Sequence, residues 1–100
     1  MGENMENKSL EVKCNLLRQI ERYLDGEITR NVFGNLAELY YTGNAHLIKN
    51  TRFYEAYSGI VPDACLIYID EPGNEDDKEK CFRIEMENAY EILKTLCNNE

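Results

Sequence analysis

Behind Ser9, a good N-cap, Leu10, Cys14, Leu17, Ile20 and Leu24 recur at three- and four-residue steps, with Leu16 and Tyr23 widening the stripe. The pattern predicts a first helix of about 16 residues, roughly 24 Å long at 1.5 Å per residue, stopped at Gly26. Thr29 caps a second helix whose inward face carries Phe33, Leu36, Ala37 and Tyr40, and Gly43 ends it. The link 26–28 is short, which makes the two helices antiparallel neighbours. Asn44 can cap a third helix over 45–58, with Leu47, Ile48, Thr51, Tyr54 and Tyr57 inward and Gly59 closing it. Asn50-Thr51 is the weak point of that helix, since neither residue favours a helix interior.

Beyond Pro62 the pattern is double-valued. The run 64–69 is continuously apolar and rich in β-branched and aromatic residues, so periodicity does not separate a strand from a buried helical turn. Pro72-Gly73-Asn74 marks a turn. Phe82, Ile84 and Met86 alternate with charged residues, as a half-buried strand would. Phe82, Met86, Ala89, Leu93 and Leu96, with Ile92 beside them, also form a helical stripe that holds for about 15 residues, against about six for the strand template. The longer match favours a helix over about 77–96. The fold expected is mainly α, a small antiparallel four- to five-helix bundle. Its alternative is a short β-hairpin near residues 64–87, pairing 64–70 with 81–87 ahead of a shorter helix. One domain spans 1–100, with the polar segment 1–8 expected to be disordered.

Composition limits what such a bundle does. One hundred residues build one core, and an apolar fraction of 43% is ordinary for a globular chain. No stretch approaches the roughly 20 apolar residues that span a bilayer, and no apolar leader follows the N-terminus, so a soluble, cytoplasmic protein is expected. Cys14, Cys65, Cys81 and Cys97 never pair as Cys-x-x-Cys, and with one histidine they do not suggest zinc. They read as reduced, mostly buried thiols.

Charge changes the picture more. Residues 61–80 carry a net charge of −5 within a chain total of −8, while 1–60 contribute −1 and 81–100 contribute −2. The acidity peaks in Asp-Glu-Pro-Gly-Asn-Glu-Asp-Asp-Lys-Glu-Lys at 70–80, expected as a hydrated acidic loop. Such a field attracts a basic partner and repels nucleic acid and anionic membranes. The loop fails the EF-hand spacing, because Pro72 falls at the third position and Glu75 where the glycine belongs. Asp76-Asp77 in a hydrated loop has nothing to drive two carboxylate pKa values apart, as acid–base catalysis requires. His46 stands alone, and no phosphate-cradling, zinc-protease or nucleophile-elbow pattern occurs, so no enzyme, cofactor or metal is expected. Seven tyrosines without a tryptophan are the other unusual feature. A tyrosine usually packs its ring at the core edge with its hydroxyl wet, but it also anchors interfaces. Tyr41 lies off the stripe of Phe33 and Tyr40 and is the best candidate for exposure.

Leu16 to Phe33, with Leu-Asp-Gly-Glu-Ile-Thr at 24–29, resembles the first two helices of the colicin D immunity proteins and their relatives in contact-dependent growth inhibition systems. Pro62-Asp63-Ala64, then Tyr68-Ile69-Asp70 and an acidic turn before a final helix, are similar to the same family. The likeness spans about 16–96, through motifs that are short and individually common. The acidic loop is longer, and 64–69 more apolar, than the family pattern. The resemblance implies a small helical antitoxin that binds a cognate toxin, typically a tRNA-cleaving nuclease, and covers its basic active-site cleft with acidic side chains, as a monomer in a 1:1 complex. It points to Asp63, Asp70, Glu71, Glu75, Asp76 and Asp77 as contacts and to Tyr68 as an aromatic anchor. The competing reading is an acidic regulator or nucleic-acid mimic that acts on a different basic partner. For each acid, plain surface solubility competes with recognition.

Overall fold

The computed structural model describes residues 5–98, which form an all-α bundle: α1 Met5–Leu24, α2 Arg30–Asn44, a 3-10 turn Ala45–Leu47, α3 Arg52–Cys65, a π-helical turn Leu66–Asp70, and α4 Glu75–Asn98. The capping chemistry sets most boundaries. Gly26, at φ +80°, takes the left-handed position that ends α1, with the Glu27 N–H donating to Arg22 O (2.9 Å) and the Gly26 N–H to Tyr23 O (3.0 Å). Thr29 Oγ1 accepts from the Val32 N–H and caps α2. Thr51 Oγ1 does the same for Tyr54 at the start of α3, and Asn74 Oδ1 for Asp77 at the start of α4.

Neighbouring helices run antiparallel. Tyr23 meets Phe33 while Asn15 Nδ2 donates to Tyr40 Oη, so α1 and α2 are opposed. Along α1 and α4, Arg83 donates to Leu24 O, Tyr90 to Glu21, and Cys14 Sγ lies 3.9 Å from Cys97 Sγ. Tyr41 against Tyr57, and Gly34 against Ile69, set α2 against α3 and the π-turn in the same sense.

The core is made of one row from each helix: Val12, Leu16, Ile20 and Tyr23; Phe33 and Ala37; Phe53, Tyr57, Val61 and Ala64; Phe82, Met86, Ala89, Leu93 and Cys97. Burying each large apolar side chain contributes roughly 1.5–3 kcal/mol. On α4 the expected helical stripe is buried as far as Leu93, while Ile84, which a strand would have buried, is 51% exposed. Among the described residues there is no strand, and the 64–87 hairpin alternative does not form.

Three expectations are corrected. The α1 stripe is rotated: Leu10 and Cys14 are exposed, and the deep row runs through Leu16 and Ile20, because that row faces Phe82 through Tyr23. Met5–Lys8, expected to be disordered, is helical, whereas residues 1–4 lie outside the described residues. The third helix is displaced. The chain breaks at the weak Asn50-Thr51 point, and α3 then runs from Arg52 through Gly59 and Pro62 to Cys65. Gly59 and Pro62 together cost one backbone bond and some entropy, but Val61 and Ala64 continue the buried row of Phe53 and Tyr57. Burial of that row outweighs the punctuation. The apolar run 64–69 therefore ends α3 and forms the π-turn, closed by the Glu71 N–H donating to Leu66 O at 3.1 Å.

Candidate partner-binding surface

The acidic segment is largely helical. Residues 71–74 form the link, and the helix already begins at Glu75, ahead of the expected start, because Asn74 caps it. Glu75, Asp76 and Asp77 occupy the first turn of α4, where carboxylates interact favourably with the helix dipole. Lys78 Nζ reaches back 2.7 Å to Glu71 O and ties the link down. What the sequence suggests as a hydrated acidic loop is thus an anchored helix start.

Within it, two carboxylates that remain exposed to solvent, Glu75 at 72% and Glu79 at 50%, pair with a buried cation of the protein itself. Arg30, only 7% exposed, extends Nη2 to Glu75 Oε1 (2.5 Å) and Nη1 to Glu79 Oε1 (2.7 Å), and the Tyr23 hydroxyl donates to Glu79. Below this cluster the rings of Tyr23, Phe33 and Phe82 meet at 5.1–6.0 Å between centroids. Burial opposes the Arg30 charge, but the bonds and fields of Glu75 and Glu79 outweigh it and raise the guanidinium pKa. The Arg30 hydrogen bond and charge hold the Glu75 carboxyl below its ordinary pKa. Glu75, a candidate contact from the sequence, is therefore committed to the protein's own arginine. Arg30 itself escaped the sequence reading, although it lies on the buried row of Phe33 and Ala37 and follows the cap Thr29.

The other candidate acids are differently placed. Asp63 on α3, Asp70 at the end of the π-turn, Glu71 in the link, and Asp76 and Asp77 on α4 are all exposed, and their carboxylates make no ion pair among the described residues. Tyr68 is half-buried, with its ring packed against the core. Leu66 and Ile67, at 51% and 45% exposure, present the apolar surface of the π-turn. Tyr41, expected to be exposed, is half-buried: its ring stacks on Tyr57 (5.1 Å) and Tyr54 (6.1 Å), and its hydroxyl bonds Ser58.

Between α2 and the α3–π-turn segment lies a groove of about 260 Å³. Its walls include Ala37, Tyr41, Val61, Pro62 and Leu66, and its acids are Glu38 and Asp70. Burial pushes the Cys65 thiol up to about 11, with the fields of Asp70 and Glu38 adding to it, so both carboxylates act on the same spot. Tyr57 lines the groove, and its buried hydroxyl has no hydrogen-bond partner. Gly34 lets α2 approach the π-turn, because a Cβ there would lie 2.7 Å from Ile69 Cδ1. Of the acids expected from sequence, only Asp70 reaches this groove; Glu38 comes from another helix and had no local signal. A larger depression of about 500 Å³ beside α1 mixes Arg18 and Arg22 with Glu21, Asp25 and Glu27, and its opposed charges select no one kind of ligand.

Comparison with protein-family models, curated proteins and solved structures finds no match.

Among the described residues, no helix is long and apolar enough to cross a membrane, and no three His, Cys, Asp or Glu side chains gather into a group that could hold a metal. Cys14 and Cys81 are exposed, against the expectation of mostly buried thiols.

Proposed function

We propose that this chain is an immunity protein: a stoichiometric inhibitor that binds the basic cleft of a cognate toxin in the cytoplasm, most naturally a tRNA-cleaving nuclease, and acts without turnover. One observation carries the reading. Asp63, Asp70, Glu71, Asp76 and Asp77 are exposed and free of ion pairs among the described residues, along one continuous stretch of chain anchored by Asn74 and Lys78 and beside exposed Leu66 and Ile67. A nuclease must present cations to hold phosphates, and carboxylates fixed on helix ends substitute for those phosphates. Apolar neighbours then slow release. The likeness to the colicin D immunity proteins in 16–33 and 62–70 points the same way.

The test is co-expression with the toxic domain encoded beside this gene, scored by growth and co-purification. The parent chain rescues growth, and its complex weakens as salt rises. The combined Asp70→Asn, Glu71→Gln, Asp76→Asn and Asp77→Asn variant keeps its helicity and loses protection. Neutral replacements are preferred because lysines in the first turn of α4 would oppose the helix dipole. Full protection by that variant would sink the acidic-cover mechanism, and inhibition of several unrelated DNA-binding proteins would replace immunity with general nucleic-acid mimicry.

A further inference from the structure

The groove between α2 and the π-turn repeats the ingredients that hold Arg30. There, two carboxylates from α4 hold one guanidinium, and a tyrosine hydroxyl donates to one of those carboxylates. In the groove, Glu38 and Asp70 supply two carboxylates and Tyr57 a tyrosine hydroxyl, and no lysine or arginine of the chain lines it. We propose that the groove seats one arginine side chain of a protein partner, with its guanidinium between Glu38 and Asp70 and its methylenes along Pro62 and Leu66. The inference rests on the basic-partner reading above and names the group that the partner inserts.

Three physical points select arginine. The volume, about 260 Å³, falls below the roughly 300–1,000 Å³ of small-molecule pockets and suits a single side chain. Glu38 and Asp70 sit on different elements, so the occupant must offer donors in more than one direction, which the planar guanidinium fork does and a point-like ammonium does less well. Apolar and aromatic walls also favour the more weakly hydrated cation. Tyr57 supplies the independent observation: a residue 1% exposed whose hydroxyl is left without a partner, among the residues that line a groove with no lysine or arginine of the chain. An unpaired buried hydroxyl costs stability and calls for an explanation, which a polar group inserted by a partner would supply.

The probe is acetyl-arginine amide, titrated into the full ¹⁵N-labelled chain, with acetyl-lysine amide and acetyl-norleucine amide as comparators. The arginine probe binds in the millimolar range and shifts amides of 34–42 and 57–70, the lysine probe binds more weakly, and the norleucine probe does not bind. Glu38→Gln with Asp70→Asn weakens the arginine probe by about tenfold. Tyr57→Phe weakens it too, yet raises Tm by about 4 °C, because the unpaired hydroxyl is gone. Equal binding of lysine, shifts centred on Asp76 and Asp77, or a fall in Tm for Tyr57→Phe would each overturn the proposal. Growth rescue separates the two readings. A chain that binds the arginine probe but rescues nothing loses the immunity role and keeps the arginine seat. A Glu38→Gln, Asp70→Asn variant that still binds and neutralises the toxin like the parent keeps the immunity role and removes the seat.

Discussion

Two parts of this bundle use the same chemistry to opposite ends. At the junction of α1, α2 and α4, Glu75 and Glu79 close over Arg30, and the Tyr23 hydroxyl completes the cluster. At the junction of α2 and α3, Glu38 and Asp70 flank a groove with Tyr57 beneath it and no cation of the chain among its lining residues. The first arrangement supplies its own counter-charge, although Arg30 Nε stays buried without a partner, and it ties the start of α4 to α2. The second leaves negative charge at a groove and an unpaired hydroxyl buried beneath it. Acidity alone therefore does not mark a recognition surface; what matters is whether the fold supplies the counter-charge.

The comparison breaks most visibly at Arg30. Arg30→Ala removes a guanidinium that is 7% exposed, with its packing and its hydrogen bonds, while Glu75 and Glu79 are left in solvent, so it should cost about 1–2 kcal/mol in urea denaturation. A cost below about 0.5 kcal/mol, the range of ordinary surface changes, would mean that the cluster does not hold the bundle.

Acid sharpens the same point. The Glu75 pKa is lowered by Arg30, so the stability it contributes is fully present above its unfolded value of roughly 4.3 and is lost as pH falls through the lower folded value. The gap between parent and Arg30→Ala should accordingly be constant from neutrality to about pH 5 and shrink by pH 3. Urea midpoints at the two ends measure it, and an unchanged gap at low pH would assign the Arg30 effect to packing instead of charge.

Gly34 tests the groove wall. Gly34→Ala pushes a methyl against Ile69 Cδ1, the free end of a side chain that can turn aside, and alanine favours the helix, so stability should change by less than about 1 kcal/mol while the Ile69 side chain moves. Amide shifts should concentrate in 34–38 and 66–70, and shifts spread along α1 instead would mean that this contact does not set the groove. The smallest effect belongs to the groove acids. Glu38→Gln with Asp70→Asn should leave stability within about 0.5 kcal/mol of the parent, in contrast to Arg30→Ala. Thermal denaturation of the two variants side by side decides whether the division of labour holds.

Much of this architecture is legible along the chain because it depends on near neighbours. Thr29, Gly26 and the Phe82–Leu93 stripe act through residues within a turn or two, and the structure uses each as the sequence suggests. Misplacement of α3 arose where punctuation and burial disagree: Gly59 and Pro62 say stop, while Val61 and Ala64 continue the row. The double role of the acidic segment was hidden because its decisive contact joins Arg30 to Glu75 across 45 positions. The groove joins α2 to the π-turn, and no window of sequence contains both Glu38 and Asp70. Only the place of Arg30 on the Phe33–Ala37 row hinted that some acid would be drawn to it.

The first turn of α4 has two edges with different freedoms. Glu75 and Glu79, one turn apart, answer to Arg30, so substitutions there are judged by folding. Asp76 and Asp77 are exposed between them and make no ion pair among the described residues, so only the modest pull of the helix dipole constrains them. One helix end thereby lets surface charge drift while the scaffold stays fixed. Under the immunity reading proposed above, a lineage tracking a changing toxin, or an engineer redirecting this chain, could rewrite 76 and 77 one residue at a time without passing through an unfolded intermediate genotype.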